Sequence, residues 1–440
     1  MGSKDVLSYF STIRSEGYFS NTMCLIKINK IEPGMVLAED LKNRNGRFLL
    51  PSGANLTARH IKMLKMWGVI EANIGGTISE DVEDNAISEL DPATIEMAKK
   101  TVRGRFRYSN TDHPVTQELF RFCTLQKAEE IQSNHPRGNA EFDDRSEGDA
   151  EANEMPELMS SKIDFNKFIQ RHLLKLPTLP MIFSKINEAI VKPNSSANDI
   201  GKIISKDTSL SARLLKIVNS AFYGFPSRID SIGRAVAIIG TRQLSSLASG
   251  VTVIHMFKDI PSDIIDMKSF WKHSIACGVN AKIIASYQGI QNTERLFLSG
   301  LLHDIGRLIL YNYAPDYATY ALAKAKRTNI MLNRVEYEDL DFDHAKIGGL
   351  LLKKWKLPVL IEHAVTYHHS PQKSQNPLEP SIVHLADIMA NAQGIGSSGE
   401  YFVPPLDVDA WECIGLSANI LDLTIRQADH HIEEIFKFFC

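Results

Sequence analysis

Long hydrophobic runs are missing from this chain. No stretch approaches the roughly 20 consecutive apolar residues that a membrane-spanning helix needs, and the apolar segment Met23 to Ile28 is far too short. The first residues also lack the charged-then-apolar pattern of a secretory signal, so a cytoplasmic location without a membrane partner is expected. Cysteine is scarce: Cys24, Cys123, Cys277, Cys413 and Cys440 are odd in number and far apart, which leaves no disulfide framework and no CxxC zinc site. Nor is charge of one sign in excess. With 49 Lys and Arg against 52 Asp and Glu, the formal net charge is -3 and the basic residues read as scattered, so nucleic acid is not an expected partner.

What remains is an ordinary globular composition, 44% hydrophobic and 23% charged over 440 residues, with room for two or three domains. Residues 23–80 read as a small α+β module. Within it Val36 to Leu41 runs to Asn45-Gly46, a two-residue hairpin signal, followed by Phe48-Leu49-Leu50. Thr57 reads as the N-cap of a short helix carrying Ile61 and Leu64, and Val69 to Ile74 as a returning strand. Residues 85–132 are rich in helix formers interrupted at Pro114, and read as a helical spacer. Residues 134–160 are polar, with Glu141, Asp143, Asp144, Glu147, Asp149, Glu151, Glu154 and Glu157, and have too little apolar surface to offset chain entropy. A flexible, disordered acidic linker is expected there, separating the N-terminal part from the C-terminal region.

From 163 to 440 helical periodicity dominates, as in Ile232, Ala235, Val236 and Ile239 at i, i+3, i+4 and i+7. Turn signals at Lys192-Pro193-Asn194, Gly224-Phe225-Pro226 and Leu357-Pro358 divide it into helices, so the chain is expected to be mainly α, with an all-helical domain here. Asn219-Ser220 and the Tyr223-Gly224 turn fit helix capping or bridging better than ligand binding.

Seven residues of this region carry chemistry if they converge: His273, His303, Asp304, His344, His368, His369 and Asp387. Clustered imidazoles and carboxylates suit divalent Mn, Fe, Zn or Mg, one ion or two, though the same shell could serve another purpose without any ion. A lone histidine such as His273, beside Ala276, Cys277 and Asn280, is more often a satisfied core residue. Asp304 is sharper, because a carboxylate between Leu301-Leu302 and Ile309 is costly to bury unless paired or metal-bound; capping of a neighbouring helix is its bland alternative. Gly300, Gly306 and Gly348 near these ligands leave room for close approach. His344 by itself suits a solvent-facing position equally well. Adjacent helical positions point about 100° apart, so only one of His368 and His369 is an obvious ligand, the other serving behind it.

The word LLHDIG around His303-Asp304 resembles the HD superfamily of metal-dependent phosphohydrolases. LPTLP at Leu176 to Pro180, ISKDTSLSARLLKIVNSAFYG at Ile204 to Gly224, SIGRAVAIIG at Ser231 to Gly240, FWKHS at Phe270 to Ser274 and HAKIGGLLLKKWKLP at His344 to Pro358 resemble, in order, its HDOD branch, the HD-related output domains. IEPGMVLAEDL at Ile31 to Leu41 and GRFLLPSGANLT at Gly46 to Thr57 resemble a module found ahead of HD-GYP and HDOD domains.

The resemblance implies a bacterial signalling protein that works through contacts with signalling proteins, with its own copy in a homodimer, or with a phosphate-containing small molecule. It also implies that His273, His303, Asp304, His344, one or both of His368 and His369, and Asp387 match the superfamily's metal positions. The GYP signature of cyclic di-GMP phosphodiesterases is absent, SPQKSQNP coming directly after His369. Arg307 stands where those enzymes carry lysine. A guanidinium cannot hand over a proton at neutral pH, although it could clamp a phosphate. Signalling by contacts is therefore the first expectation and metal-dependent phosphohydrolysis, with Asp304 and Arg307 as catalytic residues, the second.

Overall fold

In this computed structural model the residues described are 23–28, 31, 33–38, 40–42, 48–51, 53–57, 60–61, 64, 69, 71–75, 90–133, 181–191, 196–225, 227–257, 260–418 and 420–439. They fall into two compact units, residues 1–89 and 90–440.

The first unit holds β1 (Met23–Lys27), β2 (Val36–Leu37), β3 (Leu41–Lys42), β4 (Phe48–Leu50) and β5 (Glu71–Gly75). β5 lies between β1 and β2, antiparallel to both, and β3 pairs with β4. The Asn45-Gly46 turn lies outside the described residues; the pairing of Lys42 with Phe48 leaves residues 43–47 between the strands rather than the two expected, and the expected strand from Val36 to Leu41 is divided between β2 and β3 in different sheets. Ala72 and Ile74, two apart on β5, face a core of Leu37, Leu56, Ile61 and Leu64. The expected cap is present: Thr57 Oγ1 accepts the His60 N–H at 3.2 Å.

The second unit is helical throughout the described residues. It opens with α1 (Pro92–Arg105) and α2 (Pro114–Ser133). The sequence reads these as a spacer cut off by the acidic stretch, and the packing corrects that. Ala98 and Val102 on α1, and Val115, Leu119 and Cys123 on α2, are buried at i, i+4 spacing. Arg105 donates to the Asn391 carbonyl, the Val403 N–H donates to the Arg105 carbonyl at 2.8 Å, and Cys123 Sγ lies 3.2 Å from the Ala392 carbonyl. An apolar stripe that wide needs a partner, and the C-terminal helices supply it. The acidic stretch, residue 163 and Leu176 to Pro180 lie outside the described residues.

Next come α3 (Met181–Val191), α4 (Ala197–Ser205), α5 (Thr208–Val218), α6 (Ile232–Ile239) and α7 (Thr241–Met256). On α6, Ile232, Ala235 and Val236 are buried as expected and Ile239 sits at the margin. Asn219 bridges two segments: its amide donates to the Leu215 and Ile229 carbonyls, and its Oδ1 accepts the Ile229 N–H, each at 2.7 Å.

The remaining helices are α8 (Met267–Tyr287), α9 (Thr293–Leu302), α10 (Ile305–Tyr313), α11 (Pro315–Thr328), α12 (Leu332–Leu340), α13 (His344–Lys354), α14 (Val359–Thr366), α15 (Leu378–Gln393), α16 (Val408–Ile414) and α17 (Ile420–Phe439). Among the described residues, no helix is long and apolar enough to cross a membrane. α8 is the axis of this part, buried on nearly all sides and packed against α9, α15 and α17.

Glycine pairs set how closely these helices approach. A Cβ on Gly300 would lie 2.7 Å from the Gly278 Cα, so α8 and α9 cross backbone to backbone. A Cβ on Gly306 would run into the His344 carbonyl and come within 2.8 Å of the Gly348 nitrogen, which fixes α10 against α13. We therefore expect Gly306→Ala to cost about 3 kcal/mol or more, seen as a fall of roughly 10 °C in the thermal midpoint. A midpoint within a degree of wild type would show that α10 and α13 are not held by this contact.

Candidate metal centre

α9 stops at Leu302, and the chain turns through His303 and Asp304 before α10 begins at Ile305. That break lets two consecutive side chains aim at one point. Asp304 occupies the N-cap position of α10 but makes no capping hydrogen bond, which removes the bland alternative for it. Its carboxylate faces inward instead. Oδ1 lies 2.8 Å from His344 Nε2, while Oδ2 lies 3.2 Å from His303 Nε2 and 3.8 Å from His273 Nε2. Asp387 on α15 brings Oδ1 to 3.2 Å from His273 Nε2 and 3.3 Å from His303 Nε2.

All seven expected residues converge. His344, expected to be as much solvent-facing as functional, is fully buried at the first position of α13. The doublet corrects the expectation of one obvious ligand. α14 ends at Thr366, so His368 and His369 lie in a turn rather than on a helix, and both rings face the cluster with centroids 3.9 Å apart. His369 Nε2 comes to 3.1 Å from His344 Nε2.

The backbone decides which nitrogen each ring offers. Carbonyls only accept, so His303 Nδ1–H donates to the Gly300 carbonyl and His368 Nδ1–H to the Val365 carbonyl, each at 2.7 Å, leaving both Nε2 lone pairs aimed inward. His344 Nδ1–H donates to Glu336 Oε2 at 2.6 Å, the carboxylate–histidine arrangement that orients metal-binding imidazoles. Nε2 of His273, His303 and His368 is buried without a hydrogen-bond partner. Buried orphans of this kind are costly unless something fills them, and the inward lone pairs of His303 and His368, with the His273 ring and two carboxylates beside them, match a cation. Two donor groups, His273 with His303 and Asp387, and His344 with His368 and His369, each bring ligand atoms within 4.8 Å of one another. Asp304 presents one oxygen to each, so the set fits one divalent ion or two with Asp304 between them.

Arg307 stands elsewhere than a phosphate clamp requires. Its guanidinium is buried behind Asp304, with Nη1 3.3 Å from Asp304 Oδ2 and donating to Ser398 Oγ at 2.6 Å, and Nε 3.5 Å from Glu336 Oε1. It orients Asp304 and faces no solvent. Glu336, Ser398, Asn391 and His384 are parts of the site that sequence reasoning passed over. Asn391 Nδ2 donates to Asp387 Oδ1 at 2.7 Å, and His384 Nδ1–H donates to the His368 carbonyl at 2.8 Å. Only Glu336 left a legible signal, a glutamate on the apolar face of α12 with Leu332, Val335 and Leu340.

Electrostatics sort the titratable groups. Burial opposes ionisation of Asp304, but Arg307, His303 and His344 outweigh it and hold its carboxyl well below the usual range. Burial likewise opposes ionisation of Asp387, which the imidazoles of His273 and His303 beside it overcome, and of Glu336, which His344 overcomes. For His303 burial disfavours the charged ring, yet attraction to Asp304 raises its pKa well above the ordinary value. Burial and Arg307 oppose charge on His344, and Glu336 with Asp304 overrules them, raising it to about 9. Burial, with His303 and His344, pushes His368 down to about 3, and burial with His368 pushes His369 well down. Without a cation, then, protons on His303 and His344 together with Arg307 balance Asp304, Asp387 and Glu336. One divalent ion replaces those two protons charge for charge.

Residues 176–371 match the family model of the HDOD domain. The chain carries an HDOD domain. An uncharacterized protein of Treponema pallidum (strain Nichols) is 28% identical over 212 residues, which is 48% of this chain and 41% of that protein. The chain thus spans about two fifths of the length of this curated relative. An HDOD domain protein of unknown function from Geobacter sulfurreducens superposes with a TM-score of 0.52 at 22% identity, over 61% of this chain and 97% of that one. A protein described as a candidate phosphohydrolase from Shewanella amazonensis SB2B gives 0.51 at 21%, over 62% and 98%. At such identities the likeness is one of fold.

Two measurements check the HDOD centre. A histidine whose folded pKa is raised contributes stability that is fully present below its unfolded value near 6.5 and is lost as pH rises through the folded value. With His344 at about 9, the thermal midpoint of metal-free protein should fall between pH 6.5 and 9 while that of metal-saturated protein does not. Parallel profiles would show that these imidazoles carry no proton. Glu336→Gln should weaken binding of a divalent ion by about 10- to 100-fold, read by titration calorimetry, because His344 loses its orienting carboxylate.

Proposed function

We propose that this chain is a cytoplasmic signalling protein whose HDOD domain is built around a regulatory divalent metal centre and acts through contacts with protein partners or a second copy. The observation that carries the reading is the closure of the cage. Every one of the seven residues except His369 is between 0% and 4% exposed, and the ligands come from α8, the α9–α10 break, α13, the turn after α14, and α15. An ion held there ties five segments together, so the packing of the domain depends on its presence. Mn, Fe and Zn suit this mixture of imidazole and carboxylate better than Mg does.

Metal analysis of the purified protein tests this. One or two divalent ions per chain are expected, with a fall of several degrees in thermal midpoint after chelation and recovery on adding Mn, Fe or Zn. Protein free of metal as isolated, with a midpoint indifferent to millimolar ions, would remove the reading.

Metal-dependent phosphohydrolysis is the second reading, supported by the two-sided carboxylate of Asp304 and by the outlet at His369. That ring lines a shallow pocket of about 260 Å³ together with Asn333, Arg334, Tyr337 and Ser370. A divalent ion held by the cluster would supply Lewis acidity toward a phosphoryl oxygen. Arg307 would keep Asp304 ionised and aimed, and Arg334 at the pocket wall would meet phosphate charge. His369 joins this pocket to the cluster, its Nε2 turned toward His344 Nε2. Metal-loaded protein should then hydrolyse bis(p-nitrophenyl) phosphate, with Asp304→Ala lowering the rate at least a hundredfold. No turnover above the metal-only blank, for that ester and for cyclic dinucleotides, would leave the regulatory reading alone.

A further inference from the structure

A second concave site lies away from the metal cluster, where α1 meets the helical body. It is a pocket of about 540 Å³ lined by four basic residues, Lys99, Lys100, Arg103 and Arg107, by one acidic residue, Glu96, and by Gly104, Asn329 and Phe402. Lys99 and Arg103 lie one turn apart on α1 with Lys100 beside them, and Arg107 follows in the turn just past the end of the helix at Arg105, so that positive charge gathers at this end of α1. Arg105, in the same run, turns inward to the Asn391 carbonyl.

The charges of this patch are largely unmatched. Lys99 has Glu96 at 2.7 Å, but among the described residues Lys100, Arg103 and Arg107 have no carboxylate partner. The neighbouring helix behaves differently, pairing Arg121 with Glu118 at 2.8 Å and Lys127 with Glu130 at 3.1 Å. Like charges at helical spacing destabilise the helix that carries them, and an anion seated on the patch relieves that repulsion. The other end of the pocket has different chemistry. Asn329, in a left-handed conformation at φ 52 that ends α11, offers a side-chain amide, and Phe402 offers an aromatic ring.

We propose that this pocket binds a small ligand bearing two or more phosphate groups, with Lys99, Lys100, Arg103 and Arg107 on the phosphates and Asn329 with Phe402 against its organic end. Arg103 and Arg107 supply the planar forks that suit phosphate oxygens. The pocket is also wired to the metal centre. Phe402 belongs to the segment whose Ser398 Oγ accepts from Arg307, and whose Val403 N–H donates to the Arg105 carbonyl. A ligand touching Phe402 thus leans on the same segment that holds the guanidinium behind Asp304.

The test uses the full chain in EDTA, so that the metal centre contributes nothing, with ATP and inorganic tripolyphosphate as probes in titration calorimetry. One saturable site per chain is expected for both, weakening as salt rises. The double variant Arg103→Glu, Arg107→Glu should weaken both probes at least tenfold at an unchanged thermal midpoint. If that variant is destabilised, Arg103→Gln with Arg107→Gln reads the same loss. Absence of binding by either probe, equal affinity in the charge variants, or tighter binding of a 20-nucleotide single-stranded RNA than of ATP would overturn the assignment, the last marking the patch as a nucleic-acid surface.

Discussion

The Asp304 carboxylate is the interaction on which the rest of this molecule turns. It is buried, ionised, and divided between two donor groups, one oxygen toward His344 and the other toward His303 and His273. An isolated buried carboxylate would be protonated, because desolvation disfavours the charged form and raises the pKa until the group neutralises. Arg307 behind it prevents that, itself held by Ser398 and flanked by Glu336. The cluster then carries more negative than positive fixed charge, and either two imidazole protons or a divalent ion must complete it. Metal binding, protonation and packing are therefore three faces of one electrostatic balance.

The geometry that permits this balance comes from small residues rather than from the charged ones. Gly278 and Gly300 let α8 and α9 touch, which sets His273 beside His303; Gly306 and Gly348 do the same for α10 and α13, which sets Asp304 beside His344. Interrupted helices contribute as much. A continuous helix would send residues 303 and 304 about 100° apart, and likewise 368 and 369, whereas a break after Leu302 and a turn after Thr366 aim each pair at one point.

Closure and connection pull the function in a consistent direction. Of the seven donors His369 alone is partly exposed, and a cage so closed suits an ion whose presence is read out through helix packing. The segment from Ser398 to Val403 links that cage to α1, a helix that joins the HDOD unit although it precedes the acidic stretch in sequence.

Much of this was legible in the order of residues. Helical periodicity showed an all-α region, and the polarity of His303-Asp304 within an apolar run showed where buried charge had to be compensated. Those signals are local, and they survive because each reports its own residue's cost of burial. The spacer over 85–132 misled because an apolar stripe such as Val115, Leu119 and Cys123 says that a partner exists without saying which. The basic run Lys99, Lys100, Arg103, Arg105 and Arg107 lies within nine consecutive residues and corrects the reading of the basic residues as scattered, which followed a near-zero net charge averaged over the whole chain. The candidate donor set was thus written in the chain itself. Convergence of the seven residues, the inward turn of Arg307, the service of Glu336 behind His344 and the docking of α1 were decided by tertiary packing, because they depend on distances between segments that no single segment encodes.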